Sequence, residues 1–396
     1  MSQAFLIGGA RTPVGRYGGA LASVRPDDLA ALVVGEAVTR AGVPAEAIDE
    51  VILGAANQAG EDNRNVARMA VLLAGLPDVI PGLTVNRLCA SGMSAIALAA
   101  QAVRTGDADI VVAGGVESMT RAPWVQAKPS KAWAKPGDAF DTSIGWRFTN
   151  PRLAARDKAT FTMPETAEEV ARVDAISRAD ADAFALRSHQ RAVRAQDAGH
   201  FRDEIVAVDT GRGLIGTDEG PRRDTSLEAL AGLRPVVRGG EVVTAGNSSS
   251  LNDGASAIIV ASADAVERYG LRPRARIVAH ASAGLAPEIM GLGPVPATQK
   301  ALAKAGLSAS DLGAVELNEA FASQSLACMR RLGLDPEIVN ADGGAIALGH
   351  PLGSSGSRLL VTLLGRLERE NARYGLATMC VGVGQGTAMV VERVDG

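Results

Sequence analysis

One short stretch, residues 84–96, constrains the fold of this chain more than any other. A β-branched apolar run ends at Cys89, three small residues follow, and the apolar spacing of a helix then continues to Arg104. A strand, a tight turn and a helix in that order place the sulfur at the positive end of a helix dipole, where free backbone amides lower the pKa of a thiol. The stretch therefore predicts a nucleophilic Cys89 in an α/β fold. The competing interpretation is a small, buried and unreactive cysteine.

The same alternation of apolar runs with helical spacing fills the first third of the chain. Buried strands are expected at residues 51–54 and 110–115, and helices at residues 27–40 and 65–74. Strands that are apolar on both faces and separated by helices favour parallel pairing, with helices on both sides of the sheet. Residues 354–358 open a later helix with a similar glycine-serine turn, so the second half of the chain repeats the pattern of the first.

The middle of the chain has a different character. Residues 128–137 are polar and interrupted by prolines, and residues 177–197 read as a long charged helix. We interpret 128–137 as a projecting loop that either contacts another subunit or is simply solvated. The pattern predicts two similar lobes with an inserted segment over the end of the first. The family resemblance described below implies the bounds: an N-terminal lobe of residues 1–119 together with about 241–270, an inserted loop domain of residues 120–240, and a C-terminal lobe of residues 271–396.

Composition limits the function. Aromatic residues make up only 3% of the chain and the net charge is −4, which argues against binding of nucleic acid. No apolar run reaches the roughly 20 residues that a membrane span needs, and three cysteines without paired spacing do not form a disulfide framework. We therefore expect a cytoplasmic protein without a membrane segment. No metal site is expected either, since no cysteine or histidine spacing resembles a zinc site.

Three stretches place polar groups among glycines and apolar residues: 316–322, 342–356 and 379–386. Ligands bind at the strand ends of α/β sheets, so the polar side chains of these stretches are expected to converge with the first cysteine. The converging residues would be Cys89, Asn318, His350 and Cys380. The remaining cysteine and histidines belong to no motif and are interpreted as structural: Cys328, His189, His200 and His280.

These stretches resemble the thiolases, which cleave and form carbon–carbon bonds in acyl-CoA molecules. The resemblance covers essentially the whole chain and rests on four motifs in the same order: Asn86-Arg87-Leu88-Cys89-Ala90-Ser91-Gly92, Asn318-Glu319-Ala320-Phe321, Gly343-Gly344 through Gly349-His350-Pro351 to Ser355-Gly356, and Cys380-Val381-Gly382-Val383-Gly384. It implies an α/β fold of two similar lobes, with mixed five-stranded sheets, buried helices between them and an inserted loop domain.

The resemblance also implies a role for each motif residue. Cys89 would attack the 3-keto carbon of the substrate and carry the acyl group, after His350 had taken its proton. Cys380 would protonate the acetyl-CoA enolate, whose oxygen would be held by His350 and by a water bound to Asn318. The backbone amides of Cys89 and Gly382 would form an oxyanion hole, in which each donor can contribute ~3 kcal/mol.

CoA would be a substrate, and the resemblance implies no permanently bound cofactor. The residues expected to contact CoA are Ser248 and Ser249 on the pantetheine, Met163, Ala320 and Phe321 along the tunnel, and Arg222 at the nucleotide, with Arg223 as the alternative to Arg222. Acyl-CoA and CoA are the expected partners. The family further implies a homo-oligomer, either a dimer or a tetramer.

Residues 57–69 and 143–148 resemble the 3-oxoadipyl-CoA (β-ketoadipyl-CoA) thiolases of bacterial aromatic degradation. Their substrate carries a distal carboxylate, which calls for a cation at the acyl end of the site. The candidate cations are Arg64, Arg68 and Arg147, because an arginine can bind a carboxylate through two parallel hydrogen bonds.

Alternative functions remain open at this level. A general acetyl-CoA C-acetyltransferase would act on acetoacetyl-CoA, although biosynthetic thiolases carry a histidine where this chain has Thr162. A ketoacyl-carrier-protein synthase would share the lobes and Cys89, but Cys380 would be unusual in it. A non-catalytic CoA-binding protein of the same fold would normally lack one of the catalytic residues, and a cysteine hydrolase needs only a cysteine and a histidine.

Overall fold

The computed structural model describes residues 3–394. Its strands, in chain order, are β1 (Ala4–Arg11), β2 (Gly15–Arg16), β3 (Glu50–Gly54), β4 (Gly82–Val85), β5 (Ile110–Ser118), β6 (Trp124–Gln126), β7 (Ala139–Asp141), β8 (Val208–Asp209), β9 (Leu214–Ile215), β10 (Asn252–Ser262), β11 (Ala275–Gly284), β12 (Leu312–Leu317), β13 (Tyr374–Val381) and β14 (Gln385–Arg393). Its α-helices are α1 (Pro26–Ala41), α2 (Val66–Leu73), α3 (Ser91–Thr105), α4 (Pro151–Ala154), α5 (Met163–Val173), α6 (Arg178–Ala198), α7 (Leu227–Ala231), α8 (Ala263–Tyr269), α9 (Pro294–Ala305), α10 (Ala322–Leu332), α11 (Ala345–Leu348) and α12 (Leu352–Arg369). Short 3-10 helices occupy Ala45–Ala47, Pro287–Leu292 and Ala309–Asp311.

The strands form one large mixed sheet in the order β12-β13-β14-β11-β1-β10-β5-β3-β4, with β2 beside β10. The two halves of this sheet meet at β1 and β11, which pair only at Phe5 and Leu6 of β1. Outward from the junction of β1 and β11, the N-terminal half runs β1, β10, β5, β3, β4, and the C-terminal half runs β11, β14, β13, β12. Val339 forms a parallel bridge to Val315 of β12 and takes the place that β4 has in the other half. With Val339 included, the two halves have the same strand order. The prediction of two similar α/β lobes is confirmed, although the fifth strand of the second lobe is reduced to this single bridge.

The sheet combines parallel and antiparallel pairs, as the resemblance implies. β3 is parallel to β4 and β5, and β12 is parallel to β13, as expected. However, β10 is antiparallel to β1 and β5, and β14 is antiparallel to β11 and β13. The parallel pairing predicted for the first third of the chain is therefore confirmed for β3, β4 and β5. The apolar runs of β10 and β14 do not indicate a direction, because a strand buried on both faces is apolar whichever way it runs. Its direction depends on its connections, which here are the long insertion before β10 and a tight turn before β14.

Helices α3 and α12 lie between the two halves and form the central core. Met93 of α3 and Leu363 of α12 belong to one buried cluster that includes residues from both halves of the sheet. The first turns of the two helices are side by side, since a Cβ on Gly92 would lie 2.7 Å from Gly353 O. Further along, a Cβ on Gly356 would overlap the backbone N of Met93. The beginnings of both central helices therefore open into the same space.

The chain between β5 and β10 carries the β6–β7 and β8–β9 hairpins and helices α4 to α7. Its helices α5 and α6 pack against α10 and α11 of the C-terminal half. This packing places Met163, at the start of α5, beside Gly382 in the turn after β13, since a Cβ on Gly382 would lie 3.8 Å from Met163 Sδ. Among the helices of residues 3–394, none combines the length and the apolar character needed to cross a bilayer.

Candidate active site

Cys89 lies in a strained turn between β4 and α3. Leu88 has a φ of +47°, a left-handed conformation that is uncommon for leucine. Two hydrogen bonds hold it there: Asn86 Oδ1 accepts from Leu88 N (2.8 Å), and Ser91 Oγ donates to Leu88 O (2.7 Å). The turn places the sulfur just before the first residue of α3, beside the N-terminus of the helix.

The Cys89 thiol contacts the other half of the molecule. The backbone N–H of Gly382 donates a hydrogen bond to its sulfur. Burial nevertheless raises the pKa of the Cys89 thiol to about 11, and the Glu117 carboxylate adds to the rise. The expected lowering of this pKa by the helix N-terminus is therefore wrong, because the loss of solvation outweighs the amide dipoles. At neutral pH Cys89 is a thiol, and it needs a base to become a nucleophile.

His350 is a buried, neutral imidazole whose tautomer leaves Nε2 able to accept a proton. Its Nδ1 lies 2.5 Å from Ser355 Oγ, and that hydroxyl donates its own hydrogen to Pro351 O (2.9 Å). Nδ1 therefore carries the hydrogen that joins it to Ser355 Oγ, and Nε2 keeps its lone pair as an acceptor. Burial lowers the pKa of His350 to about 3, with a contribution from the Arg358 cation. The backbone of His350 is fixed by Asn252 Oδ1, which accepts from its N–H (2.9 Å).

Asn318 directs its amide at the same imidazole. It directly follows β12, is fully buried, and its Nδ2 lies 3.4 Å from His350 Nε2. Within residues 3–394 its Oδ1 has no hydrogen-bond partner. Because an unpaired buried polar atom costs about 1–3 kcal/mol, this oxygen is well placed to accept a hydrogen bond from a bound group.

A second thiol, Cys380, lies near the end of β13. Burial raises the pKa of Cys380 well above its usual value, and a thiolate at Cys89 or Cys328 would raise it further, so Cys380 keeps its proton at neutral pH. The chain reverses immediately afterwards through two residues with left-handed backbone, Val383 (φ +63°) and Gly384 (φ +77°). This reversal directs the Gly382 N–H at the sulfur of Cys89.

Five of the residues expected to contact CoA either pack around Cys380 or pair through the backbone with residues that do: Met163, Ala320, Phe321, Ser248 and Ser249. The first three pack with Cys380 in one apolar cluster. Ser249 N donates to Ala320 O (2.9 Å), and Ser248 pairs with Phe321 in an isolated antiparallel bridge. The structure therefore brings an apolar wall and a polar backbone edge together beside the second thiol, which suits an acyl-pantetheine chain.

Arg222 lies apart from this cluster, at a cavity of about 390 Å³ that His189 and Ser250 also line. The Arg222 N–H donates to His189 Nδ1 (3.2 Å), and burial lowers the pKa of His189 to about 4. Arg223 instead forms an ion pair with Asp197. Of the two arginines, Arg222 is therefore the one that lines the cavity, and His189 is a cavity residue as well as a packing residue.

Two residues at the site, Asn252 and Glu117, belong to none of the motifs used to find it, and a third, Ser355, lies in a motif that assigned it no role. Glu117 is fully buried near the end of β5, and its carboxylate accepts the N–H groups of Ala56 (2.9 Å), Asn57 (3.1 Å) and Gly353 (2.8 Å). It thereby ties the loop after β3 to the start of α12. The sequence signal for Glu117 is a carboxylate in an otherwise apolar strand, whereas Ser355 and Asn252 resemble ordinary turn residues.

The other cysteine and two histidines make contacts within the fold. Cys328 is buried and donates to Gly291 O (3.2 Å). His200 Nδ1 bonds to Asp342 Oδ1 (2.7 Å), and His280 Nε2 bonds to Thr387 Oγ1 (3.0 Å). Across the part of the chain that the structure describes, no group of histidine, cysteine or acidic side chains is arranged to hold a metal ion.

Two family models match nearly the whole chain. The one described as "Thiolase, N-terminal domain" matches residues 4–264, and the one described as "Thiolase, C-terminal domain" matches residues 271–393.

Close relatives match over their full length. The β-ketoadipyl-CoA thiolase of Pseudomonas aeruginosa is 57% identical over 400 residues, which cover 99% of each protein. The 3-oxoadipyl-CoA/3-oxo-5,6-dehydrosuberyl-CoA thiolase of Escherichia coli is 56% identical and covers 100% of both. Among solved structures, human mitochondrial 3-ketoacyl-CoA thiolase in complex with CoA has a TM-score of 0.93 and 40% identity, with 100% of this chain and 98% of that chain covered.

Proposed function

The chain belongs to the thiolase family of acyltransferases, and from this premise we propose that it cleaves 3-oxoadipyl-CoA with CoA to give succinyl-CoA and acetyl-CoA. The names of the full-length relatives support this substrate. One observation carries the chemistry: the Cys89 sulfur accepts a hydrogen bond from the N–H of Gly382, which lies two residues after Cys380, so that two protonated thiols from different halves of the fold belong to one site. A cysteine hydrolase needs one such thiol, whereas cleavage of a carbon–carbon bond needs a nucleophile and a separate acid for the carbanion.

In the first steps His350 Nε2 takes the proton of Cys89, and the thiolate attacks C3 of the substrate. The Gly382 N–H lies at the sulfur and donates to the oxyanion that forms on the attacked carbon. The bond between C2 and C3 then breaks. Its electron pair leaves with the CoA portion as an acetyl-CoA enolate, and the succinyl group remains on Cys89 as a thioester.

The enolate is held and then protonated. The Nε2–H of the protonated His350 faces the enolate oxygen together with the Asn318 amide, since these two groups lie side by side. The Cys380 thiol gives its proton to C2 of the enolate, which yields acetyl-CoA and leaves a Cys380 thiolate.

The second half of the reaction restores the enzyme. An incoming CoA thiol gives its proton to the Cys380 thiolate and attacks the succinyl thioester. Cys89 leaves as a thiolate and recovers its proton from His350, so that every proton is returned. Thiolates suit both roles because they are good nucleophiles and good leaving groups.

We also propose the setting in which this reaction occurs. CoA is a substrate that binds along Met163, Ala320, Phe321, Ser248 and Ser249, with Arg222 near its nucleotide. The enzyme needs no permanently bound cofactor and works in the cytoplasm as a homo-oligomer, either a dimer or a tetramer. Residues 120–240 cover the CoA site as an inserted unit between a lobe of residues 1–119 with 241–270 and a lobe of residues 271–396.

The test compares CoA-dependent cleavage of 3-oxoadipyl-CoA with that of acetoacetyl-CoA, beside a Cys89→Ser variant. We expect a clear preference for 3-oxoadipyl-CoA, loss of both activities in the variant, and a mass gain of one succinyl group on the wild type, mapped to Cys89. Equal or better cleavage of acetoacetyl-CoA would instead make the protein a general acetyl-CoA C-acetyltransferase. Retained activity in Cys89→Ser would overturn the mechanism.

A further inference from the structure

We infer that Arg147 recognises the distal carboxylate of the substrate and so sets the preference for a dicarboxylic acyl chain. This inference rests on the proposed function. The carboxylate of 3-oxoadipyl-CoA lies three carbon–carbon bonds beyond the carbon that Cys89 attacks. Its partner must therefore be close to the catalytic turn, shielded from solvent, and not already neutralised by a carboxylate of the protein.

Arg147 is attached to the loop that contacts the catalytic turn. Its Nη2 donates to Asn57 Oδ1 (3.1 Å). The preceding residue of that loop, Ala56, accepts through its carbonyl oxygen from Asn86 Nδ2 (2.9 Å), and Asn86 is in the turn that holds Cys89. An amide oxygen orients a guanidinium without neutralising it, so Asn57 fixes Arg147 and leaves its charge available.

The other side of this segment reaches the CoA tunnel. Trp146 Nε1 donates to Phe161 O (3.4 Å), two residues before Met163. Met163 in turn packs with Cys380 and lies beside Gly382. Trp146 and Arg147 therefore bridge the two walls of the catalytic centre, the loop after β3 on one side and the start of α5 on the other.

The other two candidate arginines do not meet the same conditions. Arg68 donates from Nη1 to Ile80 O (2.6 Å) and from Nη2 to Asp78 O (3.0 Å), so its guanidinium already fastens the chain after α2. Arg64 is exposed, on the approach to α2. By contrast, Arg147 is half-buried, and its guanidinium has only the neutral Asn57 as a side-chain partner within residues 3–394.

The decisive substrates are 3-oxoadipyl-CoA and 3-oxohexanoyl-CoA, which have the same chain length and differ only by a terminal methyl in place of the carboxylate. Arg147→Met is expected to lower kcat/KM for 3-oxoadipyl-CoA by roughly 10- to 100-fold, because a hydrogen bond between charged groups is lost. The value for 3-oxohexanoyl-CoA should change by less than about threefold. Arg147→Lys keeps the charge without the two-pronged geometry and should recover part of the preference. Arg64→Met is the matched control, and it should affect both substrates equally.

A binding measurement separates this inference from the proposed reaction. Adipyl-CoA and hexanoyl-CoA lack the 3-oxo group and cannot be cleaved, so calorimetry reports recognition of the carboxylate alone. We expect the wild type to bind adipyl-CoA more tightly and Arg147→Met to lose that preference. If the wild type prefers 3-oxoadipyl-CoA but Arg147→Met weakens both substrates equally, or if Arg64→Met shows the selective loss, the inference is wrong and the proposed function stands. If the wild type does not cleave 3-oxoadipyl-CoA, the proposed function fails, while a preference for adipyl-CoA that disappears in Arg147→Met still supports the role of Arg147.

Discussion

Cys89 and His350, which we propose as nucleophile and base, are both neutral over an unusually wide range of pH. Burial holds the pKa of His350 at about 3 and that of Cys89 at about 11, so between these values the imidazole can accept a proton and the thiol can give one. Loss of activity on the acid side requires protonation of His350, and a change on the alkaline side requires ionisation of Cys89. A thiol and an imidazole with ordinary pKa values would both titrate closer to neutrality.

We therefore predict that kcat/KM for thiolysis varies little between about pH 5 and about pH 9. The Glu117 carboxylate, whose pKa burial raises to about 7, is expected to add no more than a shallow step. The measurement is a kcat/KM profile with acetoacetyl-CoA in overlapping buffers of constant ionic strength. A steep acid limb near pH 6 would show that His350 titrates normally and would contradict this view of the site.

Ser355 provides a second test at the scale of single residues. Its hydroxyl accepts from His350 Nδ1 and so keeps the lone pair on Nε2, where the base is needed. Ser355→Ala should lower kcat by roughly 10- to 100-fold, the usual cost of removing a group that orients a functional histidine, and should leave the KM for CoA almost unchanged. Ser357→Ala is the control, since Ser357 donates to Ser354 O on the same helix. Similar losses in both variants would mean that Ser355 matters only for packing.

The sequence predicts which residues form the candidate site better than it predicts their protonation states. Cys89, His350 and Cys380 stand in recognisable motifs, and the structure joins the turn after Cys380 to Cys89 through the Gly382 N–H. The direction of the Cys89 pKa shift could not be predicted, because it depends on burial by segments far away in the chain. The roles of Ser355 and Asn252 were equally hidden, since a serine at the start of a helix or an asparagine at the start of a strand acquires its role only when His350 is placed against it.

The central helices α3 and α12 yield a prediction at the scale of elements. Gly356 faces α3, where a Cβ would overlap the backbone N of Met93, whereas a Cβ on Gly365 of the same helix would meet only the flexible end of Arg369, at 3.0 Å. Gly356→Ala should lower the free energy of unfolding by about 3 kcal/mol or prevent folding. Gly365→Ala should be neutral or stabilise by up to about 1 kcal/mol, since alanine favours a helix over glycine. Urea titrations of both variants check this, and equal effects would contradict the close approach of the two helices.

The turn between β13 and β14 yields a second prediction at the scale of elements. Val383 is held at a φ of +63°, which is costly for a β-branched residue, and its side chain is 40% exposed. Val383→Gly should therefore raise the free energy of unfolding by about 0.5–1 kcal/mol, because relief of the strain exceeds the added flexibility of the unfolded chain. Denaturation midpoints measure this effect. An unchanged or lower stability would show that Val383 is not strained.

Elements were predictable where the local pattern is sufficient. The apolar runs at β3 and β5 and the helical spacing of α1 and α2 are confirmed because each of these signals is contained in its own segment. The direction of β10 was not predictable, because Asn252–Ser262 is buried on both faces and such a strand is apolar in either direction. The sequence also could not show that the fifth strand of the C-terminal half is a single bridge at Val339, since that bridge depends on how the chain passes Val315.

At the scale of the whole molecule, the site belongs to neither half alone. Cys89 comes from the N-terminal half, whereas Asn318, His350 and Cys380 come from the C-terminal half. The halves share one buried core around α3 and α12. The repeated pattern in the sequence predicted two similar halves, but no local pattern shows that their central helices begin side by side. In the mechanism that we propose, this arrangement brings Cys89 to His350.

The position of β14 has a consequence for the timing of synthesis. It is the last strand that the structure describes, yet it lies between β13 and β11, near the middle of the shared sheet. A ribosome completes Cys89 hundreds of residues earlier, but the turn that brings the Gly382 N–H to that sulfur is closed only when residues 385–393 pair with β13. Through most of translation a growing chain therefore lacks the Gly382 N–H, His350 and Cys380 that we propose act with Cys89, so the proposed site forms only after residues 385–393 have been made.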